Sequence, residues 1–306
     1  MLQKIANTLY TGYEYLLTKE ILGNPVPSHI AIIQDGNRRY AAKLDKPSYY
    51  GHFYGANTTE KVMDWCLELG IRQLTIYALS TENFSRPYSE RIPLFKLFKK
   101  KFDEICVDER VHRDKMQIRV IGNIDLLPQD LRLAAKRAER ITQQYENFRL
   151  NVALAYGGRW ELLDVVKAIT KNVEIGVLKA KDIDQDTISD YLYSNGSPTN
   201  VDLIIRTGGE KRMSNFLPWQ ASGNECAAYF CAPYWPEFRK IDFLRAIRTY
   251  QMRDKEKRSS TVLRAISLLM GCVKIELEDA LESSKRALKV TRRDMVRRLK
   301  GLRSEE

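Results

Sequence analysis

Short, wholly apolar runs alternate along the chain with longer stretches whose apolar residues recur at helical spacing. Residues 29–34 (HIAIIQ) read as a buried strand, as do residues 71–79, 117–121, 150–155, 201–205 and 227–231. Helices are expected between them over residues 59–69, 92–106, 130–145, 160–170 and 186–193, with a longer basic helix over 238–257. Leu94, Phe95, Leu97, Phe98 and Phe102 form the apolar face of the second of these, and Gly70 closes the first. Apolar strands alternating with helices specify an α/β fold: a mostly parallel central sheet of about six strands, covered by helices on both faces. After about residue 259 the alternation stops. Residues 262–274 and 275–302 read as helices, so a domain over 1–258 is expected to carry a basic helical extension over 259–306.

The formal net charge of +11 points to an anionic partner: nucleic acid, anionic lipid headgroups or a phosphorylated substrate. Part of the surplus lies in Arg292, Arg293, Arg297, Arg298 and Lys300. That segment suits a solvated helix face, contact with an anionic membrane, or packing against a second subunit. Five cysteines without a C-x-x-C pair support neither a disulfide framework nor a zinc site, and they fit a reducing, cytoplasmic setting. Residues 1–22 read as an amphipathic helix and not as a signal peptide, and the most apolar stretch, 262–273, is too short to span a membrane.

Ligands of such sheets bind beyond the carboxyl ends of the strands, so the polar residues there are the place to look for chemistry. The first strand runs into Asp35-Gly36-Asn37-Arg38-Arg39. A helix start offers free N–H groups, Gly36 permits close approach, and Arg39 can grip phosphate oxygens. Asp35 would repel a diphosphate unless the two shared Mg2+, a hard cation suited to carboxylate and phosphate oxygens; alternatively it is only the helix N-cap. The second strand ends in Ser80-Thr81-Glu82-Asn83-Phe84-Ser85-Arg86-Pro87, either a second polar site or an ordinary capped loop. The fifth ends in Arg206-Thr207-Gly208-Gly209-Glu210-Lys211-Arg212-Met213-Ser214, where glycines expose N–H groups and arginines grip oxygens. Three anion-suited loops on one sheet edge would serve two diphosphates.

On these residues the chain resembles the cis-prenyltransferase family. The similar segments are HIAIIQDGNRRYA (residues 29–41), GHFYGA (51–56), LTIYALSTENFSRP (74–87), NVALAYGGRWEL (151–162) and VDLIIRTGGEKRMSNFLPWQASGNE (201–225), in the family's order and spacing. The resemblance implies a hydrophobic tunnel enclosed by the fold. It also implies Mg2+-dependent condensation of an allylic prenyl diphosphate with isopentenyl diphosphate, giving a Z-polyprenyl diphosphate of short or medium length. Asp35, Asn37 and Asn83 match catalytic positions; Gly36, Arg38, Arg39, His52, Ser80, Arg86, Arg206, Arg212 and Ser214 match substrate-binding positions; Asp35 and Glu225 match the metal site. His52 is otherwise a satisfied structural histidine. A homodimer is implied as well, with peripheral membrane contact open to the basic extension.

Several positions depart from the family pattern. Arg38 stands where glycine is common, and Tyr40 and Phe84 stand where tryptophan is common. Ser48 replaces an arginine that contacts the allylic phosphate, and residues 253–260 lack the Arg-x-Gly ending by which one subunit reaches the other's site. These departures leave two alternatives: transfer to a non-standard acceptor, or a non-catalytic partner subunit, a class that usually loses the acid kept here as Asp35. Phe148 is expected near the tunnel floor, where bulky family residues stop elongation. No nucleic-acid-binding motif accompanies the basic charge, and no G-x-G-x-x-G follows the first strand, which argues against nucleic-acid and dinucleotide ligands.

Overall fold

Every strand pairing in the sheet is parallel. The computed structural model describes residues 2–193, 200–221 and 226–256, together with 259 and 278. Among these, β1 (His29–Ile33), β2 (Gln73–Tyr77), β3 (Met116–Ile121), β4 (Phe148–Ala153), β5 (Leu203–Arg206) and β6 (Ala227–Phe230) form one sheet in the order β3-β4-β2-β1-β5-β6. α1 (Leu2–Leu22) precedes β1. Parallel neighbours need crossovers, and helices supply them: α2 (Asn37–Lys43), α3 (Ser48–Glu68), α4 (Tyr88–Ile105), α5 (Glu109–Arg113), α6 (Gln129–Thr142), α7 (Gly158–Glu174) and α8 (Gln185–Tyr191). A further helix, α9, occupies residues 240–251.

Both faces of the sheet are buried, which is why the strands read as continuous apolar runs. Along β1, Ile30 and Ile32 enter one core cluster while Ala31 and Ile33 enter another. Each aliphatic side chain so buried contributes roughly 1.5–3 kcal/mol. A polar thread crosses the sheet within this apolar setting: Thr75 Oγ1 lies 2.8 Å from His29 Nε2 and accepts from Asn151 Nδ2 at 2.9 Å. It satisfies buried polar groups that would otherwise be costly.

Two departures from the sequence expectation concern helices. α3 opens at Ser48, well before the expected residue 59, and α5 was not foreseen. Gly51 and Gly55 lower intrinsic helicity but are needed for packing. A Cβ on Gly51 would lie 1.8 Å from the Asn37 carbonyl oxygen, and one on Gly55 would lie 2.3 Å from Asn37 Oδ1. The two glycines let α2 settle directly against α3.

The chain divides into two compact units, Met1–Gln251 and Met252–Glu306. In the second, residues 252–256 are helical; apart from residues 259 and 278, the expected 259–306 extension lies outside the described residues. No helix among the described residues is long and apolar enough to cross a membrane.

The sheet grows from β1 in both directions, through β2 on one side and β5 on the other. Strand order therefore reverses between β1 and β5, the place where such sheets hold ligands. Ile33 of β1 is in register with Arg206 of β5, so the residues just after β1 meet the end of β5.

Candidate active site

Asp35 stands at this reversal point. One carboxylate oxygen accepts from Arg39 Nη2 at 2.9 Å and the other from Arg206 Nη2 at 2.8 Å. Its backbone carbonyl accepts from Thr207 Oγ1 at 2.7 Å and from the Trp235 N–H at 3.0 Å. The helix-cap alternative does not hold: Gly36 is the N-cap residue of α2, and no side chain caps that helix. Burial opposes ionisation of Asp35, but the hydrogen bonds from Arg206 and Arg39 outweigh it and hold the carboxyl below its ordinary range. Two glycines make the approach possible. Gly36 has φ 102°, and a Cβ there would meet Tyr234 at 2.7 Å; a Cβ on Gly208, φ 82°, would meet Arg39 Nη2 at 2.6 Å.

Arg206 is the hub of the β5 loop. Its side chain is 5% exposed, and its second terminal nitrogen donates to the Arg212 carbonyl at 2.6 Å and to Ser214 Oγ at 2.8 Å. Its Nε is buried with no partner. Arg212 projects its own guanidinium outward, paired with Glu210 at 2.8 Å.

Across the crevice, Ser80 and Asn83 form a reciprocal capping box on the short helix Thr81–Ser85 and also line the cavity, so capping does not exclude a polar site there. Arg38 and Arg86 both approach one oxygen of Glu90, at 3.7 and 4.0 Å. His52 Nε2 is buried without a hydrogen-bond partner, which removes the satisfied-histidine alternative. Burial, with the Arg86 and Arg38 charges added, pushes its pKa down to about 4, so the ring is neutral at physiological pH. Asn37 Oδ1 is likewise buried and unpartnered.

One cavity of about 1250 Å³ joins these groups. Asp35, Gly36, Asn37, Arg38, Arg39, His52, Ser80, Asn83, Arg86, Arg206, Arg212 and Ser214 all line it. Glu225 lies outside the described residues. Away from this polar mouth the wall is apolar, with Met63, Leu94, Leu97, Phe98, Leu150 and Val152. Phe148 lies on the same face of β4 as the cavity-lining Leu150 and Val152, at the start of the strand, where it is fully buried in the core and does not itself line the cavity. Sequence reasoning did not single out Thr207, Tyr234, Trp235 or Glu90; the neighbouring Gly208 was the available signal for the first.

A family model described as "Putative undecaprenyl diphosphate synthase" matches residues 33–258. A relative from Methanosarcina mazei, named tritrans,polycis-undecaprenyl-diphosphate synthase (geranylgeranyl-diphosphate specific), is 50% identical over 84% of this chain and 87% of its own. A relative of the same name from Haloarcula marismortui is 48% identical over 89% and 88%. The chain belongs to the cis-prenyltransferase family. A solved cis-prenyltransferase neighbour, lavandulyl diphosphate synthase from Lavandula x intermedia in complex with dimethylallyl diphosphate, superposes with a TM-score of 0.69 at 32% identity, over 74% of this chain and 95% of its own. As a cis-prenyltransferase, the protein condenses a prenyl diphosphate with isopentenyl diphosphate. The cis-prenyltransferase cavity combines an arginine-rich mouth with an apolar body, the two environments that a diphosphate headed by a hydrocarbon tail requires.

Proposed function

We propose that this protein extends an allylic prenyl diphosphate of geranylgeranyl size to a Z-polyprenyl diphosphate of medium length. One observation carries the reading: a carboxylate held between two arginines at the mouth of a large, mainly apolar cavity. The primer size and product length follow the names of the relatives from M. mazei and H. marismortui.

In this reading the allylic diphosphate lies over the Gly36 turn, within reach of Arg38, Arg39 and Arg86, with its tail among Leu94, Leu97 and Phe98. Isopentenyl diphosphate is gripped by Arg206, Arg212 and Ser214. Asn37, Asn83, Ser80 and His52 position the reacting carbons between them. The double bond of isopentenyl diphosphate attacks the allylic carbon, the carbon–oxygen bond breaks, diphosphate leaves, and a proton is lost from the newly joined unit. Neutral His52, with an unpartnered Nε2, can hydrogen-bond substrate without adding charge.

Mg2+ fits this donor set. No cluster of three or more His, Cys, Asp or Glu occurs among the described residues. Mg2+ is commonly held by one or two carboxylates plus substrate phosphates and water, so a lone acid beside phosphate-binding arginines suffices. A carboxylate has about four lone-pair sites and Asp35 uses two, which leaves room for a metal. Asp35 would hold the ion, with Glu225 as the second expected ligand. When bound, Mg2+ neutralises the departing diphosphate.

In this reading the catalytic region spans residues 1–258 and works as a homodimer, and the basic charge of 259–306 supports a role for that extension at anionic lipid surfaces. Incubation with labelled isopentenyl diphosphate, several allylic diphosphates and Mg2+, with products identified by mass, tests the reading. Mg2+-dependent polyprenyl diphosphates, formed best from the geranylgeranyl primer, are expected. Products bearing another acceptor, or no turnover, would overturn it.

A further inference from the structure

The cavity that opens at Asp35 changes character along its length. Its lining passes down β4 from Val152 to Leu150, away from the carboxyl edge of the sheet, and along α4 from Leu94 to Ile105. That stretch of α4 covers about 16 Å at 1.5 Å per residue. Toward its end the wall is no longer only apolar. Glu60 of α3, Lys101 and Glu104 of α4, Asp108 at the N-cap of α5, and Arg110 within α5 line the same cavity. They form one network. Lys101 Nζ donates to Glu60 and to Glu104 at 2.8 Å each, while Arg110 meets Asp108 at 2.8 Å and Glu60 at 3.5 Å. α5 immediately precedes β3, so the network sits toward the amino edge of the sheet, away from Asp35. Three helices are thus joined by charge where the apolar channel gives out. Lys99, on the same helix, pairs with Asp103 at 2.8 Å outside the cavity.

We infer that this ion-pair network sets product length by acting as a polar stop for the growing chain. The inference rests on the polyprenyl synthase reading above. A hydrocarbon tail reaching the network must take charges away from water and from one another, and it offers no hydrogen bond in return. Growth therefore slows once the tail fills the apolar stretch. A steric floor responds to side-chain volume; a polar stop responds to charge at constant volume.

The variant Glu60→Met/Lys101→Met keeps side-chain length and removes the Lys101–Glu60, Lys101–Glu104 and Arg110–Glu60 pairs. With labelled isopentenyl diphosphate and an allylic primer, its modal product is expected to exceed the wild-type product by one or more five-carbon units. Lys99→Met is expected to keep the wild-type distribution. An unchanged distribution in the double variant overturns the inference, as does equal lengthening in Lys99→Met. Should the double variant not fold, Glu104→Met alone carries the same two outcomes. A wild-type protein that makes no polyprenyl product overturns the underlying reading instead, so the two failures are told apart.

Discussion

Arg206 donates to Asp35 at 2.8 Å although 171 residues separate them. The contact follows from the parallel pairing of β1 with β5, which brings the end of one strand to the loop of the other. Arg206 uses its fork three times, on Asp35, the Arg212 carbonyl and Ser214. Lysine presents a point charge and cannot reproduce the fork. Arg206→Lys is expected to lower kcat/KM for isopentenyl diphosphate about a hundredfold, the scale of losing one preorganised donor. Steady-state kinetics with each substrate varied in turn would check it; an unchanged KM for isopentenyl diphosphate would count against the assignment.

Asp35→Ala removes the only acid touching both arginines at the described mouth. Turnover is expected to fall by about three orders of magnitude, and the saturable response to Mg2+ should disappear with it. The fold should survive. The change leaves a nearly buried Arg206 short of one charged partner, a loss of about 1–3 kcal/mol that thermal melting would register.

His52 gives a pH dependence with a definite sign. Its folded pKa, about 4, lies below the ordinary 6.5, so protonation favours the unfolded chain. Its contribution is fully present above about pH 6.5 and is lost as pH falls toward 4. The full shift corresponds to up to about 3 kcal/mol. His52→Asn should flatten the melting-temperature profile between those limits relative to wild type. Parallel profiles would show that His52 is not the titrating group.

Much of the fold is legible in the sequence because β1 and β5 are buried on both faces and carry mostly apolar residues. The first half of α3 is not. Gly51, Gly55 and the exposed tyrosines 49, 50 and 54 carry no apolar stripe, since Gly51 packs against the Asn37 backbone and Gly55 against the Asn37 and Trp235 side chains, contacts that no apolar side chain makes. At the site, Asp35 is conspicuous, but sequence alone leaves capping and ligand binding as rivals. Cap geometry and the reach of Arg206 decide between them, and both are tertiary facts. The Glu60, Lys101 and Glu104 charges are illegible for another reason: their spacing is that of any solvated helix pair. Only the cavity distinguishes them.

Gly51→Ala would place a methyl group 1.8 Å from the Asn37 carbonyl oxygen, and backbone cannot swing aside. Parting α2 from α3 is expected to cost about 3 kcal/mol or more and to carry Asn37 and Arg39 away from the crevice. Melting temperature and activity should fall together. Gly70→Ala is the informative contrast: its φ of 74° strains an alanine, but nothing lies within 4 Å, so stability alone should suffer.

Glu161 is fully buried on α7 and does not line the cavity, yet it backs the Ser214 loop. It accepts from Tyr156 Oη at 2.5 Å, from Gln220 Nε2 at 3.1 Å and from the Tyr193 N–H at 3.1 Å. Tyr156 meets Phe216 edge-on at 5.9 Å, and Phe216, two residues beyond Ser214, stacks on Tyr77 at 4.5 Å. Burial raises the Glu161 pKa, and the hydrogen bonds from Tyr156, Gln220 and Tyr193 only partly offset it. The folded state therefore binds the proton more tightly than the unfolded chain. This group's contribution is greatest below the ordinary glutamate range and declines as pH rises through the elevated value. Glu161→Gln, which keeps the shape and one acceptor, should remove that decline at small cost. Glu161→Ala strands three buried donors and should cost about 3 kcal/mol or more. If the network acts by positioning Ser214, the alanine variant raises KM for isopentenyl diphosphate at temperatures where it remains folded, and glutamine restores it. Equal KM in both variants would reduce Glu161 to a core residue.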